Sequence, residues 1–193
     1  MDRESELDLV RRVRDGDTAA FDAIHAAFNR RLYAFLARLA GSRDIAEDLL
    51  EETWLRFVGH AARLDADTRL GPWLFKVARN LHVTYCRSRA VESRATATIG
   101  LWPADAGASP FEQTAGSELE RRIEAALAGL PIDAREVLLL VGVDGLRPAE
   151  AALVCGITPE ALRQRLKRAR ALLAQRLAQP EPRLSLQLRE VRS

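Results

Sequence analysis

Cysteine is nearly absent from this chain: Cys86 and Cys155 are its only two. Two thiols cannot build the disulfide framework that staples small exported domains, and both are read as free. Aromatic residues are scarce as well, at 6% of 193 residues, so the core must rest on Leu, Ala and Val. Histidine occurs three times, as His25, His60 and His82. Only His82 and Cys86 have the spacing of two metal ligands on one helix, and zinc needs more than two. No metal and no cofactor are therefore expected. There is no Gly-rich phosphate loop and no dinucleotide fingerprint. Three scattered histidines make no Ser-His-Asp arrangement. The chain is expected to bind rather than to catalyse, with no catalytic residue to nominate. No run of about 18 apolar residues exists, so no membrane insertion is expected. The charged start, Met1-Asp-Arg-Glu-Ser-Glu6, lacks the apolar stretch of an export signal, which points to the cytoplasm. Charge of one sign is also missing: 29 basic residues stand against 27 acidic ones, a net charge of +2. That excludes a uniformly basic coat. Any nucleic-acid surface must be a local patch balanced by acid elsewhere.

What remains is 48% apolar and 29% charged, a globular composition rich in Ala, Leu, Arg and Glu. The fold class it predicts is all-α: two small helical domains joined by a flexible linker. Apolar periodicity and its punctuation predict helices over 4–15, 18–40, 43–62 and 72–89, then over 119–128, 132–141, 148–154 and 159–177. The domains are accordingly 1–92 and 118–178. The stretch 93–117, dominated by Ala, Ser, Thr, Gly and Pro, has no usable period and reads as the linker. Residues 179–193 form a tail in which Leu184, Leu186 and Leu188 alternate.

Three helical faces call for an explanation. On the third helix Ala46, Leu49, Leu50, Thr53, Trp54 and Phe57 share a core side, while Glu47, Asp48, Glu51 and Glu52 gather opposite them. Leu55 and Val58 are set into that acidic side. The pattern suits a docking surface for a basic partner, or an ordinary solvated face with two apolar residues. On the fourth helix Leu74, Val77, Ala78, Leu81 and Tyr85 line the core, and Lys76, Arg79, Asn80, Val83, Cys86 and Arg87 project away. Basic groups with one amide suit phosphates and base edges, and Trp73 could stack on an unpaired base or belong to the core. In the last helices Pro148-Ala-Glu-Ala-Ala-Leu-Val154 leads through Gly156 to Thr158, a candidate cap, and Pro159. This is helix-turn-helix spacing. Beyond it Leu162, Leu166, Ala169 and Leu173 form an apolar stripe, with Arg163, Gln164, Lys167 and Arg168 on the other side.

In order and separation these segments resemble the sigma-70 family of RNA polymerase sigma factors, in its compact extracytoplasmic-function (ECF) form. Ala46-Glu-Asp-Leu-Leu-Glu-Glu-Thr-Trp-Leu-Arg56 is similar to the segment that docks on the β′ coiled coil of core polymerase. Trp73-Leu-Phe-Lys-Val-Ala-Arg-Asn80 is similar to the helix that reads the −10 promoter element. Leu130-Pro131, Arg135-Glu-Val-Leu-Leu139 and Gly145 resemble the opening of the second domain, and Arg163-Gln-Arg-Leu-Lys-Arg-Ala-Arg170 its −35 recognition helix. The resemblance implies a sigma factor that binds core polymerase through its β′ and β subunits, recognises promoter DNA and answers to an anti-sigma factor. It assigns polymerase docking to Glu47, Asp48, Glu51, Glu52 and Leu55. It assigns the −10 element to Trp73, Lys76, Arg79, Asn80, Val83 and Arg87, and the −35 element to Arg163, Gln164, Lys167 and Arg168. Three positions depart from the family pattern. Glu51 replaces Gln, Thr84 stands where an Asp follows the Asn of the −10 helix by four places, and Glu160-Ala161 replaces Gly-Thr. The last two bear on which promoter sequence is read. The alternatives are a helix-turn-helix regulator with a helical sensor domain, which leaves the acidic face unexplained, and a non-DNA helical adaptor, which leaves two basic helices unexplained. The free chain is expected to bind promoter DNA poorly, because polymerase organises the two domains.

Overall fold

A computed structural model describes residues 3–97 and 117–178, and every regular element among them is helical. Most of the expected linker and the whole tail lie outside these residues, Leu184, Leu186 and Leu188 included. Helix α1 is Arg3–Arg14, α2 Thr18–Ala40, α3 Arg43–His60 and α4 Leu70–Ala97, with a 3-10 turn at Ala61–Arg63. The second described stretch holds α5 (Glu118–Ala128), α6 (Ile132–Leu138), α7 (Pro148–Cys155) and α8 (Pro159–Ala178).

Local signals explain most boundaries. Asp17 caps α2 by accepting the amides of Ala19 and Ala20 at 2.9 and 3.2 Å, and Gly41 ends it at φ +67°. Ser117 and Glu120 form a reciprocal capping box at the start of α5. Thr158 accepts the Ala161 amide at 3.1 Å, which starts α8, after Gly156 has turned the chain at φ +66°.

Three helices depart from the sequence expectation by two residues or more. Helix α3 stops at His60 rather than 62, because its last residues tighten into the 3-10 turn. Helix α4 starts at Leu70, two residues before Pro72, and continues to Ala97, five residues into the stretch read as linker. The helix expected over 132–141 is regular only to Leu138, then widens into a π turn at Leu139–Val143. The Asp144 amide bonds to the Leu139 carbonyl at 2.9 Å, five residues back. That wide turn, followed by Gly145 at φ +67°, places Asp144 under α2.

Helices α1 to α4 pack around Val10, Ile24, Leu32, Phe35, Leu36, Phe57, Leu74 and Phe75, all at most 1% exposed. Phe35 and Phe75 meet edge to face with centroids 5.3 Å apart. In the second half α5, α6 and α7 each pack on α8 around Val137, Leu139, Leu140 and Leu162. Helix α4 also packs on α7, so the buried apolar cluster runs from one half into the other.

Candidate partner and nucleic-acid interfaces

The acidic side of α3 faces solvent. Glu47, Asp48 and Glu51 are exposed, and Glu52 is half-buried beside Arg56, its Oε1 2.8 Å from the Arg56 Nε. Leu55 and Val58 are 60% and 57% exposed among these carboxylates. The opposite side is anchored. Phe57 is fully buried, and the Trp54 indole donates to Asn29 Oδ1 at 2.9 Å. Val58 continues into an open cleft of about 400 Å³ lined also by Val13, Phe21, Ala61 and Ala62. The α3 surface is therefore a rigid acidic strip with an apolar centre and an apolar cleft at its end. That arrangement is suited to a basic partner that also carries apolar side chains.

Helix α4 presents a divided face. Lys76, Asn80 and Arg87 are exposed, and Val83 is half-buried. Trp73 is half-buried, its ring 5.8 Å from that of Phe57 in an edge contact, so only part of it is available to a base. Arg79 does not point freely outward: its Nε donates to Glu136 Oε1 of α6 at 2.6 Å. His82, placed by the wheel on neither face, is 4% exposed and lies 3.5 Å from the Cys86 Sγ. The Cys155 thiol is pushed up to about 12 by burial and then by Glu136, which leaves it protonated and unreactive at neutral pH.

His82 carries a pH dependence. Burial, followed by the charges of Arg135 and Arg79, pulls its pKa from 6.5 down to about 4. Between these values the unfolded chain binds a proton that the folded one does not, so stability falls as pH drops from about 6.5 to about 4. The slope is at most about 1.4 kcal/mol per pH unit. Asp144 opposes it. Burial raises its pKa from 3.8 to about 6 despite Arg31, so the folded chain gains stability as pH falls through that range. Melting curves from pH 7 to pH 4.5 should therefore show a smaller acid loss for His82→Gln than for the wild type, and a larger one for Asp144→Asn. Identical profiles for all three would rule out this assignment.

Helix α8 keeps an open face. Leu162, Leu166 and Ala169 are buried, while Arg163, Gln164, Lys167 and Arg168 are exposed. Two of these are held by a residue of the same helix. Arg163 Nη2 donates to Glu160 at 2.6 Å, and Gln164 Nε2 to the same carboxylate at 3.2 Å. These bonds lower the Glu160 pKa. Glu160, noted in the sequence only as a departure, thus restrains the donors of this face. The sequence reading also missed the residues that join the halves, namely Arg31, Arg38, Arg69, Glu124, Arg135, Glu136, Asp144 and Glu150. Glu136 alone left a trace, as a carboxylate inside the apolar run Ala134 to Leu140.

No helix among the described residues is long and apolar enough to cross a membrane, and they contain no cluster of three or more His, Cys, Asp or Glu placed to hold a metal ion. Comparison with known proteins matches residues 24–91 to the family described as Sigma-70 region 2 and residues 120–173 to Sigma-70, region 4. The chain is 33% identical over 184 residues to the ECF RNA polymerase sigma factor SigC of Mycobacterium tuberculosis, covering 94% of each. It is 36% identical over 146 residues to a probable RNA polymerase sigma factor, RfaY, of Xanthomonas campestris, covering 73% of this chain and 36% of that one. Among solved structures it is similar to the sigma factor RpoE in complex with the anti-sigma factor NepR from Bartonella quintana. The TM-score is 0.71 and the identity 27%, over 81% of this chain and 96% of that one.

Proposed function

Because the chain belongs to the sigma-70 family, as a sigma factor of the ECF type that directs RNA polymerase to promoters, we propose the following division of its surface. Residues 1–92 dock on core polymerase and take the −10 element, residues 118–178 take the −35 element, and 93–117 is the linker between them. Glu47, Asp48, Glu51, Glu52 and Leu55 meet the polymerase. Lys76, Asn80 and Arg87, with Trp73, Arg79 and Val83, meet −10 DNA, and Arg163, Gln164, Lys167 and Arg168 meet the −35 duplex. Its action is binding without bond making. Two modest DNA sites held on one polymerase act through effective concentration, and capture of unpaired −10 bases draws the promoter toward its melted form. An anti-sigma factor is the expected off switch, by likeness to the RpoE–NepR complex.

The observation that carries this reading is the pair Leu55 and Val58, exposed in the middle of an acidic strip whose other side is fully packed. Together with the apolar cleft that Val58 helps to line, they give a basic partner an apolar contact inside the acidic strip. Asp48→Arg sets a positive charge against a basic partner, so the affinity for core polymerase should fall at least about tenfold, or about 1.4 kcal/mol. The melting temperature should not move, since Asp48 is exposed. Pull-down and titration with core polymerase test this, and unchanged affinity would overturn the docking assignment.

A further inference from the structure

The exposed side of α3 is a continuous stripe. Asp44, Asp48, Glu51, Leu55 and Val58 follow one another at four- and three-residue spacing, and all of them are exposed. The stripe is acidic in its first half and apolar in its second, where Val58 opens into the cleft with Val13 and Phe21. Among the described residues none of Asp44, Glu47, Asp48 and Glu51 is in an ion pair, whereas Glu124, Glu136 and Glu150 each hold an arginine of the first half. The occupant that fits such a stripe is a segment with guanidinium groups and aliphatic side chains a few residues apart.

This chain contains such a segment. Arg183-Leu-Ser-Leu-Gln-Leu-Arg-Glu-Val-Arg192 carries three arginines against one carboxylate, with Leu184, Leu186, Leu188 and Val191 between them. The other internal stretch outside the described residues, 98–116, has Asp105 and Glu112 and no lysine or arginine, so its charge is of the wrong sign. The second half also delivers the tail to the start of α3. In the last turn of α8 the Leu177 carbonyl accepts from Arg122 at 2.9 Å. Two residues further on, Glu124 accepts from Arg38 at 2.7 Å, in the last turn of α2, and α3 begins at Arg43. From Asp44 to Val58 the stripe is about 21 Å long. Residues 179–193 can span up to about 50 Å.

We propose that residues 183–192 of the tail lie along the α3 stripe of the free chain, with arginines on its carboxylates and leucines toward Leu55, Val58 and the cleft, and that core polymerase displaces them when it docks. The displacement rests on the assignment of α3 to polymerase. A tethered segment meets its site at a local concentration on the order of millimolar, so a contact too weak to hold a free peptide suffices. A stripe left open in about one molecule in five weakens the apparent affinity for polymerase about fivefold. The tail thereby sets a threshold on polymerase capture.

The test is photo-crosslinking in the full chain with p-benzoylphenylalanine in place of Gln187, which leaves every arginine and leucine of the segment intact. Mass spectrometry should place the adduct on α3 or the cleft residues, within one chain, at a yield independent of protein concentration. Arg183→Glu, Arg189→Glu and Arg192→Glu together should abolish it. Adding Glu47→Arg, Asp48→Arg and Glu51→Arg, which restores the attraction with reversed sign, should bring it back. Circular dichroism should show equal helix content throughout, since these α3 positions are exposed. With α3 unchanged, the triple tail variant should bind core polymerase about fivefold more tightly than the wild type. An adduct away from α3 and the cleft would overturn the tail contact. So would one formed only between chains with a yield that rises with concentration, which would assign the stripe to a second copy. An adduct on α3 with polymerase affinity unchanged in the tail variant, while Asp48→Arg weakens it, would overturn the competition. If Asp48→Arg also leaves that affinity unchanged, the docking assignment fails and the tail contact alone stands.

Discussion

Arg163→Ala and Arg168→Ala are each expected to lower transcription from a −35-dependent promoter by roughly 5- to 150-fold, with no change in thermal stability. Both side chains are exposed on the side of α8 opposite Leu162, Leu166 and Ala169. An arginine that makes two bonds to guanine O6 and N7 contributes about 1–3 kcal/mol of discrimination. One that contacts phosphate instead lowers affinity for all sequences and flattens the salt slope by about one unit. Titration of holoenzyme on promoters with single −35 changes separates these two roles. Leu166→Ala should act by another route. It is 7% exposed, so its truncation leaves a cavity and costs about 2–5 kcal/mol of stability. If Arg163→Ala and Arg168→Ala melt the protein, or leave −35-dependent transcription intact, the reading face is on the wrong side of α8. Glu160→Ala has the opposite expectation. It frees Arg163 and Gln164 from the carboxylate that now holds them, so affinity for −35 duplex should rise.

Phe75→Ala should be the most damaging change in the first half, at about 3–5 kcal/mol. The ring is fully buried, meets Phe35 edge to face at 5.3 Å, and lies 5.6 Å from the Arg31 guanidinium. Its loss removes apolar burial, an aromatic pair and a cation–π contact together. Because Arg31 also reaches Asp144, the effect should extend to the contact between the halves. Thermal melting would show a large drop in midpoint, and a drop of under about 1 kcal/mol equivalent would mean that the Phe35–Phe75 contact is not a centre of this core.

Much of the architecture was legible because it follows from local chemistry. The apolar spacing of Ile24, Phe28, Leu32, Phe35 and Leu39 placed α2 at 18–40, and the structure adds Asp17 as the cap at its start. The same logic placed Gly156 in the turn before α8 and separated Leu162 from Arg163. It fell short where geometry is not periodic. The wide turn at Leu139–Val143 has no residue signature that a helical wheel registers, yet it is what delivers Asp144 to Arg31. Phe75 and His82, both buried, were not assigned to the core side of α4, because a single apolar stripe was assumed. A helix packed on two sides, by α2 and α3 and again by α7, buries a wider arc than one stripe.

Periodicity and caps in the sequence determined the helical class and the outward side of α3 and α8, because each of these depends on residues three to eight apart, and the order of short motifs along the chain carried the sigma-70 resemblance. Only the tertiary structure decided the fate of α4. Whether Arg79 is available to a phosphate depends on Glu136, 57 positions further on, and whether Arg69 is available depends on Glu150, 81 positions further on. Charge pairing acts through space at about 3 Å and leaves no period in the chain. A helical wheel can show that an arginine faces away from its own core, but only the packed chain shows what it faces.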